Sequence, residues 1–373
     1  MSGAPEAAGA TYAAAGVDIE AGDRAVELMK EWVAKTRRPE VLGGIGGFAG
    51  LFDASALKAY DRPLLATSTD GVGTKVAIAQ RMDKHDSIGR DLVGMVVDDL
   101  VVCGAEPLFM TDYIATGKVV PEVVAGIVKG IAEGCVLAGC ALVGGETAEH
   151  PGLLKPGEYD VAGAGTGVVE ADRVLGAERV REGDVLVAMA SSGAHSNGYS
   201  LLRHVFFDVA GWELDREVPE FGRTLGEELL EPTRIYSLDC LALIAAVGGN
   251  GKPGVHAFSH ITGGGVAANI ARIIPAGLEA RLDRGTWTPP AVFGTVGRLG
   301  GVATLELEKT LNMGVGMVAV LPPAAVDPAL ALLAGRGLPS WVCGEVVASE
   351  GAMTVGGAKG GDGAASLHGD YAA

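Results

Sequence analysis

The chain has 373 residues, of which 48% are hydrophobic and 20% are charged, and its 29 basic and 46 acidic residues give a formal net charge of −17. A chain of this length exceeds the size at which a single hydrophobic core stops growing, so we expect two domains. The negative charge argues against nucleic acid and anionic membranes as partners, because both repel an acidic protein at long range. The N-terminus has no signal-peptide pattern, no apolar stretch is long enough to span a membrane, and the five cysteines contain no C-x-x-C pair. These features favour a cytoplasmic protein.

The N-terminal half contains helical and strand patterns separated by glycine-rich loops. Residues 1–11 are predicted to be a disordered tail. Apolar residues between positions 26 and 33 predict a short helix, and a glycine cluster at residues 43–50 follows it. Residues 64–67 predict a strand that runs into Asp70. A helix is predicted from Pro121 to about Cys140, because apolar residues recur there every four positions and proline is tolerated in a first turn.

A polar stretch divides the chain. Residues 161–169 predict a strand, and residues 170–184 are typical of a connection between domains. We therefore expect an N-terminal domain over residues 12–171 and a C-terminal domain over residues 172–350. Residues 351–373, rich in glycine and alanine, are predicted to form a flexible tail.

The second domain shows one arrangement twice, a short strand followed by a small-residue loop and a helix. Residues 185–190 precede the loop that contains His195, and residues 255–258 precede Gly263-Gly264-Gly265. Both loops are expected to present free N–H groups at a helix start, which favours anion binding.

The segment at residues 68–75, STDGVGTK, is the first candidate for chemistry. Asp70 directly follows the predicted strand, two glycines permit close backbone approach, and Thr74 and Lys75 offer phosphate contacts. Asp70 is a candidate magnesium ligand. Taken by itself, however, an Asp-Gly pair is more commonly a simple turn.

The glycine cluster contains a formal G-x-G-x-x-A dinucleotide pattern at residues 44–49. A charged, proline-containing stretch precedes it instead of a strand, so we discount that match. A flexible surface loop and a lid over bound phosphates remain open, and Phe48 and Leu51 favour the lid, because apolar residues let a closing loop exclude water.

Several carboxylates stand in apolar or glycine-rich surroundings. Asp91 precedes a leucine and a valine, Asp98 and Asp99 lie within GMVVDDLVVCG, and Glu146 and Glu149 lie within VGGETAEHPG. Buried carboxylates need a cation or hydrogen bonds, and magnesium supplies that compensation together with nucleotide phosphates. A cap or a solvated acid is the alternative for each.

The histidines and one lysine have competing interpretations. His195 lies in a small-residue loop, where it either contacts a phosphate, moves a proton or is bonded to backbone. His256 and His260 lack metal-ligand partners at useful spacing and are interpreted as structural. Lys30, on the first helix, is by default a solvated surface lysine.

At these residues the sequence resembles the phosphoribosylformylglycinamidine cyclo-ligases, also called aminoimidazole ribonucleotide synthetases, from about Tyr12 to Val347. The matched segments include YAAAGVDIEAG, KTRRPEVLGGIGG, TDGVGTK, CGAEPLFMTDYIATGK, GGETAEHPG, SSGAHSNGYSL, EPTRIY, HITGGG and NMGVGM. Ordered matches over nearly the whole chain are more specific than any single motif. Three positions depart from the family pattern, namely Ala49 after Phe48, Asp98 in place of asparagine, and His150 in place of methionine.

The resemblance implies a homodimer with an α/β N-terminal domain, which contributes to a β-barrel across the dimer, and an α+β C-terminal domain. It also implies an ATP- and Mg²⁺-dependent enzyme of purine biosynthesis that converts formylglycinamidine ribonucleotide to aminoimidazole ribonucleotide. Related ATP-using enzymes of the same superfamily, and a nucleotide sensor without catalysis, are the alternatives.

The resemblance also implies roles for individual residues. Asp70, Asp99 and Glu146 are the metal candidates, and His195, Asp70 and Asp99 are the catalytic candidates. The nucleotide candidates are Lys30, Gly43, Gly44, Gly46, Gly47, Phe48, Thr69, Asp70, Gly71, Gly73, Thr74 and Lys75. The substrate candidates are Ser192, Gly193, His195, Ser196, Asn197, Gly263, Gly264 and Gly265.

Overall fold

The structure is a computed structural model, and it describes residues 18–44, 47–248, 254–349, 355–356 and 362–372. The predicted tail at residues 1–11 and the nucleotide candidate Gly46 lie outside these ranges. None of the helices among the described residues is both long and apolar enough to cross a membrane.

The first part of the chain folds as one sheet covered by helices. In chain order its elements are α1 (Ile19–Lys35), β1 (Val41–Leu42), β2 (Leu51–Phe52), β3 (Pro63–Gly71), α2 (Val76–Met82), α3 (Asp86–Val101), β4 (Glu106–Thr116), α4 (Pro121–Ala138), β5 (Ala141–Glu149) and β6 (Tyr159–Glu170). The sheet order is β3-β6-β4-β5, with β4 and β5 parallel and the other neighbours antiparallel.

The helices of this domain form where the sequence pattern indicates. Pro121 opens α4 in its first turn, and Gly139 closes that helix with a left-handed φ of 73°. The Asp18 carboxylate caps α1 by accepting the Ala21 N–H at 3.1 Å. Both α3 and α4 bury apolar residues against one face of the sheet.

The strand β4 shows how this sheet has two different faces. Met110 and Ile114 are buried under the helices, whereas Thr111 and Tyr113, at alternate positions, are exposed. On β3, Leu65 is likewise 66% exposed. One face of the sheet therefore carries the core, and the other presents apolar and polar side chains to solvent.

The second part is built on a larger sheet. Its elements are β7 (Val185–Ala190), α5 (Tyr199–Arg203), β8 (Glu217–Val218), β9 (Arg223–Thr224), α6 (Leu225–Leu229), α7 (Ser237–Val247), β10 (Ala257–His260), α8 (Gly265–Ala271), β11 (Leu278–Asp283), α9 (Ala291–Gly300), α10 (Thr304–Thr310), β12 (Val315–Leu321), α11 (Val326–Gly335), β13 (Ser340–Ala348), β14 (Val355–Gly356) and β15 (Ala364–His368). The strand order is β10-β12-β7-β13-β11-β15-β14. The two parts together give the expected combination of α/β and α+β architecture.

The C-terminal segment departs from the prediction of a flexible tail. β15 pairs in parallel with β11, and Ala365 is fully buried. The Tyr371 ring packs edge-on against Trp287 with 5.3 Å between ring centroids, and its hydroxyl donates to Glu308 at 2.8 Å. For residues 364–372 the prediction is wrong, because small residues pair well in a sheet that supplies the apolar neighbours which the segment lacks.

Candidate functional site

A cavity of about 790 Å³ lies beneath the hairpin of β1 and β2, between α1 and the strands β4 and β5. The pairing of Val41 with Phe52 and of Leu42 with Leu51 places the described residues of the glycine cluster, 43–44 and 47–50, at the tip of this hairpin. Phe48 is fully exposed at the tip. The nucleotide and metal candidates that line the cavity are Lys30, Gly43, Gly44, Gly47, Phe48 and Glu146.

Close packing holds the hairpin in place over the cavity. A Cβ atom at Gly50 would lie 2.4 Å from the Val143 carbonyl oxygen, so only glycine allows the hairpin to approach β5 this closely. Arg37 donates to the Gly43 carbonyl at 2.9 Å, and Arg38 donates to the Gly139 carbonyl at 3.1 Å. The hairpin is thus tied to the domain at its base while its tip faces solvent.

Asp112, which is not among the candidates predicted from sequence, also lines this cavity. It lies on β4 between Met110 and Ile114, on the helix-covered face of the sheet. Burial raises the pKa of its carboxyl group to about 7. Its position in an otherwise apolar alternation was the available sequence signal.

The residues predicted around Asp70 lie elsewhere, at the end of β3. The Asp70 carboxylate accepts the Gly71 N–H at 2.7 Å, and Gly73 adopts a left-handed φ of 72°. Thr69 lies on the opposite, exposed face of the strand. The Thr74 hydroxyl is 3.4 Å from the Ser200 hydroxyl, which places this segment against the second domain.

Lys75 requires a correction to the predicted phosphate contact. Its ammonium group is fully buried and donates to Asp91 at 2.8 Å, to the His195 carbonyl at 2.9 Å and to the Glu231 carbonyl at 2.6 Å. Those three acceptors use all three of its donors. In this structure Lys75 joins the two domains and is not available to a phosphate.

The buried carboxylates of α3 are compensated by protein groups. Asp91 accepts the Lys75 ammonium and also the N–H and the hydroxyl of Thr233, each at 2.7 Å. Asp98 accepts the Tyr236 N–H at 3.0 Å, and burial raises the pKa of Asp98 to about 7. These acids are compensated as their apolar surroundings require, Asp91 by Lys75 of its own domain and by Thr233, and Asp98 by the Tyr236 N–H of the second domain.

His260, interpreted from sequence as structural, contacts the metal candidate Asp99. Its Nδ1 lies 2.9 Å from the half-exposed Asp99 carboxylate. Burial acts to lower the pKa of His260, but the Asp99 hydrogen bond and the charges of Asp98, Asp99 and Asp70 raise it above its usual value. The charges of Asp70 and Asp99 thus both act on this imidazole, although 29 residues separate the two acids in sequence.

His195 is held as a neutral imidazole. It has a left-handed φ of 59°, and its Nε2 accepts the Ser192 N–H at 3.2 Å. Burial, followed by the charges of His260, Lys75 and Arg234, lowers the pKa of His195 well below its usual value. A neutral ring that accepts at Nε2 carries its proton on Nδ1. This Nδ1 has no partner among the described residues and is a hydrogen-bond donor for a ligand.

The two small-residue loops of the second domain meet. A Cβ atom at Gly263 would lie 3.4 Å from the Asn197 side-chain oxygen. Gly264 and Gly265 have left-handed φ values of 104° and 72°, and a Cβ atom at Gly265 would lie only 1.7 Å from the Glu308 carbonyl oxygen. The predicted substrate residues of both loops therefore form one surface.

The hydroxyl groups of the first loop are already engaged by the segment at residues 231–233. The Ser192 hydroxyl donates to the Pro232 carbonyl at 2.6 Å, and the Ser196 hydroxyl lies 3.1 Å from that of Thr233. Gly193 adopts a left-handed φ of 155° and accepts the Asn312 amide at 2.8 Å. These contacts leave ligand binding by the loop mainly to its backbone N–H groups and to His195.

The predicted metal ligands are only partly brought together. Asp99 contacts His260 and the charge of Asp70 acts on the same ring, whereas Glu146 lines the hairpin cavity. Across the described ranges, no group of three or more histidine, cysteine, aspartate or glutamate side chains is placed to hold a metal ion. Two partly accessible carboxylates still fit magnesium, which commonly takes one or two carboxylates together with nucleotide phosphates.

The chain matches two family models and many curated proteins. A model described as AIR synthase related protein, N-terminal domain, matches residues 52–169, and one described as AIR synthase related protein, C-terminal domain, matches residues 181–356. The chain is 53% identical over 345 residues to a phosphoribosylformylglycinamidine cyclo-ligase of Anaeromyxobacter sp. (strain Fw109-5), covering 92% of this chain and 98% of that protein. It is 49% identical over 348 residues to the protein of the same name from Geobacillus kaustophilus, covering 93% and 99%.

Solved structures share the fold at low sequence identity. A thiamine-monophosphate kinase from Stenotrophomonas maltophilia superposes with a TM-score of 0.64 at 18% identity, covering 92% of this chain and 96% of that one. The hydrogenase maturation protein HypE of E. coli superposes with a TM-score of 0.61 at 19% identity, covering 92% of each chain. HypE has also been solved in complex with ATP, and that structure superposes with a TM-score of 0.57 at 18% identity, covering 86% of this chain and 84% of that one.

Proposed function

The chain belongs to the AIR synthase related family and is an ATP-dependent cyclo-ligase of purine biosynthesis, and we propose that its reaction site lies where its two domains meet. The observation that carries this proposal is the contact between Asp99 of the first domain and His260 of the second, with His195 beside them. Sequence identities of 53% and 49% to cyclo-ligases, over nearly the full length of each chain, support the reaction itself.

The reaction converts formylglycinamidine ribonucleotide and ATP to aminoimidazole ribonucleotide, ADP and phosphate. The formyl oxygen is a poor leaving group, so ATP first phosphorylates it. An amidine nitrogen then attacks the formyl carbon, and the carbon–oxygen bond breaks with release of phosphate. The protein contributes mainly position and charge neutralisation, as is general for phosphoryl transfer.

The nucleotide end of the site is proposed to include the hairpin cavity and the carboxylates near His260. Apolar walls from α1 and β5, with Lys30 at the rim, suit a base and a phosphate chain. Asp70 and Asp99 would hold Mg²⁺, and Glu146, which lines the hairpin cavity, is a further candidate ligand. When bound, Mg²⁺ would neutralise charge on the transferred phosphoryl group.

The substrate end is proposed to be the surface formed by residues 192–197 and 263–265. His195 would donate its Nδ1–H to an oxygen of the substrate, because its Nε2 is already occupied by the Ser192 N–H. This assigns His195 to hydrogen bonding and not to proton removal. Backbone N–H groups of the two loops would hold the ribose phosphate.

Magnesium-dependent ADP release upon addition of formylglycinamidine ribonucleotide tests the function. A cyclo-ligase gives one ADP for each aminoimidazole ribonucleotide formed. A nucleotide sensor, the candidate from another class, binds ATP without substrate-stimulated turnover, and that result would exclude the enzyme.

We also propose a cytoplasmic homodimer. Leu65 and Tyr113 are exposed on one face of the first sheet. This face would bind a second copy of the chain, since large exposed apolar side chains on one face favour association. Light scattering in solution tests this proposal, with a mass of two chains expected and a mass of one chain contradicting it.

A further inference from the structure

Asp112 is placed at the floor of the hairpin cavity by the alternation of β4. Its neighbours on the same face of the strand, Met110 and Ile114, are buried core residues. Asp112 is only partly buried, because the cavity opens above it. A carboxyl group therefore occupies a core position of the strand at a place where the core opens to the cavity.

The backbone beside Asp112 is shaped around its carboxyl group. On the neighbouring strand its register partner is Gly145. A Cβ atom at Gly145 would lie 1.6 Å from Asp112 Oδ1, so any other residue there would displace the carboxyl group. Gly145 thus makes room for this side chain in the cavity floor.

Among the described residues no cation and no other side chain compensates the Asp112 carboxyl group, and only its own backbone N–H acts to lower its pKa. Its Oδ2 is buried without a hydrogen-bond partner among the described residues, and none of the ion pairs found there includes Asp112. Burial without a cation raises its pKa to about 7. An unpaired buried acceptor is destabilising, and a donor group of a ligand would remove that penalty. The Asp91 carboxylate, by contrast, accepts hydrogen bonds from Lys75 and Thr233.

We propose that Asp112 accepts a hydrogen bond from the 6-amino group of the ATP base, and so determines the preference of the site for a 6-aminopurine. The inference rests on the proposed function, which places the nucleotide in this cavity. Val26, Met29 and Val33 of α1 form an apolar wall beside Asp112, which suits a flat base. The half-exposed Lys30 lies at the rim of the cavity, where the phosphates of ATP would lie. The adenine base of ATP would therefore point to the floor of the cavity.

The test measures dissociation constants, so that its outcome does not depend on turnover. ATP is compared with purine riboside 5′-triphosphate, which lacks the 6-amino group, and with 2′-deoxyadenosine 5′-triphosphate. In the unaltered protein, loss of the amino group is expected to weaken binding about 10-fold or more. Asp112→Leu should reduce that penalty to less than 3-fold, whereas Asp112→Asn, which keeps an acceptor oxygen, should retain it.

Controls separate this role from a structural one. Met29→Leu alters the same wall without a polar group and should leave the amino-group penalty unchanged, and Asp112→Ala replaces Asp112→Leu if the leucine variant does not fold. An equal penalty in the unaltered protein and in Asp112→Leu overturns the proposal, as does a loss of discrimination confined to the 2′-hydroxyl. If the protein binds ATP more tightly than purine riboside 5′-triphosphate but shows no cyclo-ligase turnover, the proposed function is refuted and the role of Asp112 is not.

Discussion

Replacement of Lys75 by methionine tests whether this lysine joins the domains or binds phosphate. The substitution removes a buried cation that contacts Asp91, the His195 carbonyl and the Glu231 carbonyl. Removal of one partner from a buried ion pair costs about 3–5 kcal/mol, because the other charge is left uncompensated. Asp91 keeps its two hydrogen bonds from Thr233, so we expect a loss near the lower value, about 3 kcal/mol.

Urea unfolding of four proteins measures this loss. They are the unaltered chain, Lys75→Met, Asp91→Asn and the double variant, and the double variant should recover about 1–3 kcal/mol relative to the sum of the single losses. The KM for ATP should change less than 3-fold in the folded single variant. An unchanged unfolding midpoint together with a large rise in KM would refute the assignment and restore Lys75 to the phosphate site.

Three further predictions follow from single side chains. The folded-state pKa of Asp98, about 7, lies above its ordinary value of 3.8, so the folded chain holds an extra proton between these values and loses stability as pH rises from about 4 to 7. Asp98→Asn should remove this slope of up to about 1.4 kcal/mol per pH unit, and parallel stability profiles of the two proteins from pH 5.5 to 7.5 would contradict the assignment. Tyr371→Ala should lower stability by about 2–4 kcal/mol through loss of the Trp287 and Glu308 contacts, and an unchanged thermal midpoint would show that the C-terminal segment contributes nothing. His195→Asn, in which asparagine tolerates the left-handed backbone, should lower kcat/KM about 100-fold or more with little change in stability, and His204→Asn, on an exposed ring, is the control. An unchanged kcat/KM would remove His195 from the mechanism.

The elements with strong local patterns were predictable from sequence. The helix predicted from Pro121 is α4 (Pro121–Ala138), and the strand predicted at residues 185–190 is β7 (Val185–Ala190). For α4 the four-residue apolar repeat agrees with the proline at the helix start, and for β7 a short apolar run ends at a loop of small residues. The C-terminal strand β15 was missed, because its stability comes from pairing with β11, which no local pattern reports.

The site was harder to predict because its contacts are long-range. The sequence marks Asp91 and Asp99 as acids that need a partner, but it does not say that Lys75 serves the first and His260 the second. Metal-ligand spacing gives no signal for His260, because its partner Asp99 lies 161 residues away in sequence. Asp112 had a usable signal, since an acid on the inward face of an alternating strand is expensive unless it has a function.

The most direct test of the central claim follows the formyl oxygen. Formylglycinamidine ribonucleotide labelled with ¹⁸O at the formyl position is incubated with the protein, ATP and Mg²⁺, and the released phosphate is analysed by mass spectrometry. The reaction described above places one ¹⁸O in each inorganic phosphate and forms one ADP for each aminoimidazole ribonucleotide. Unlabelled phosphate, or ADP release without ring closure, would contradict it.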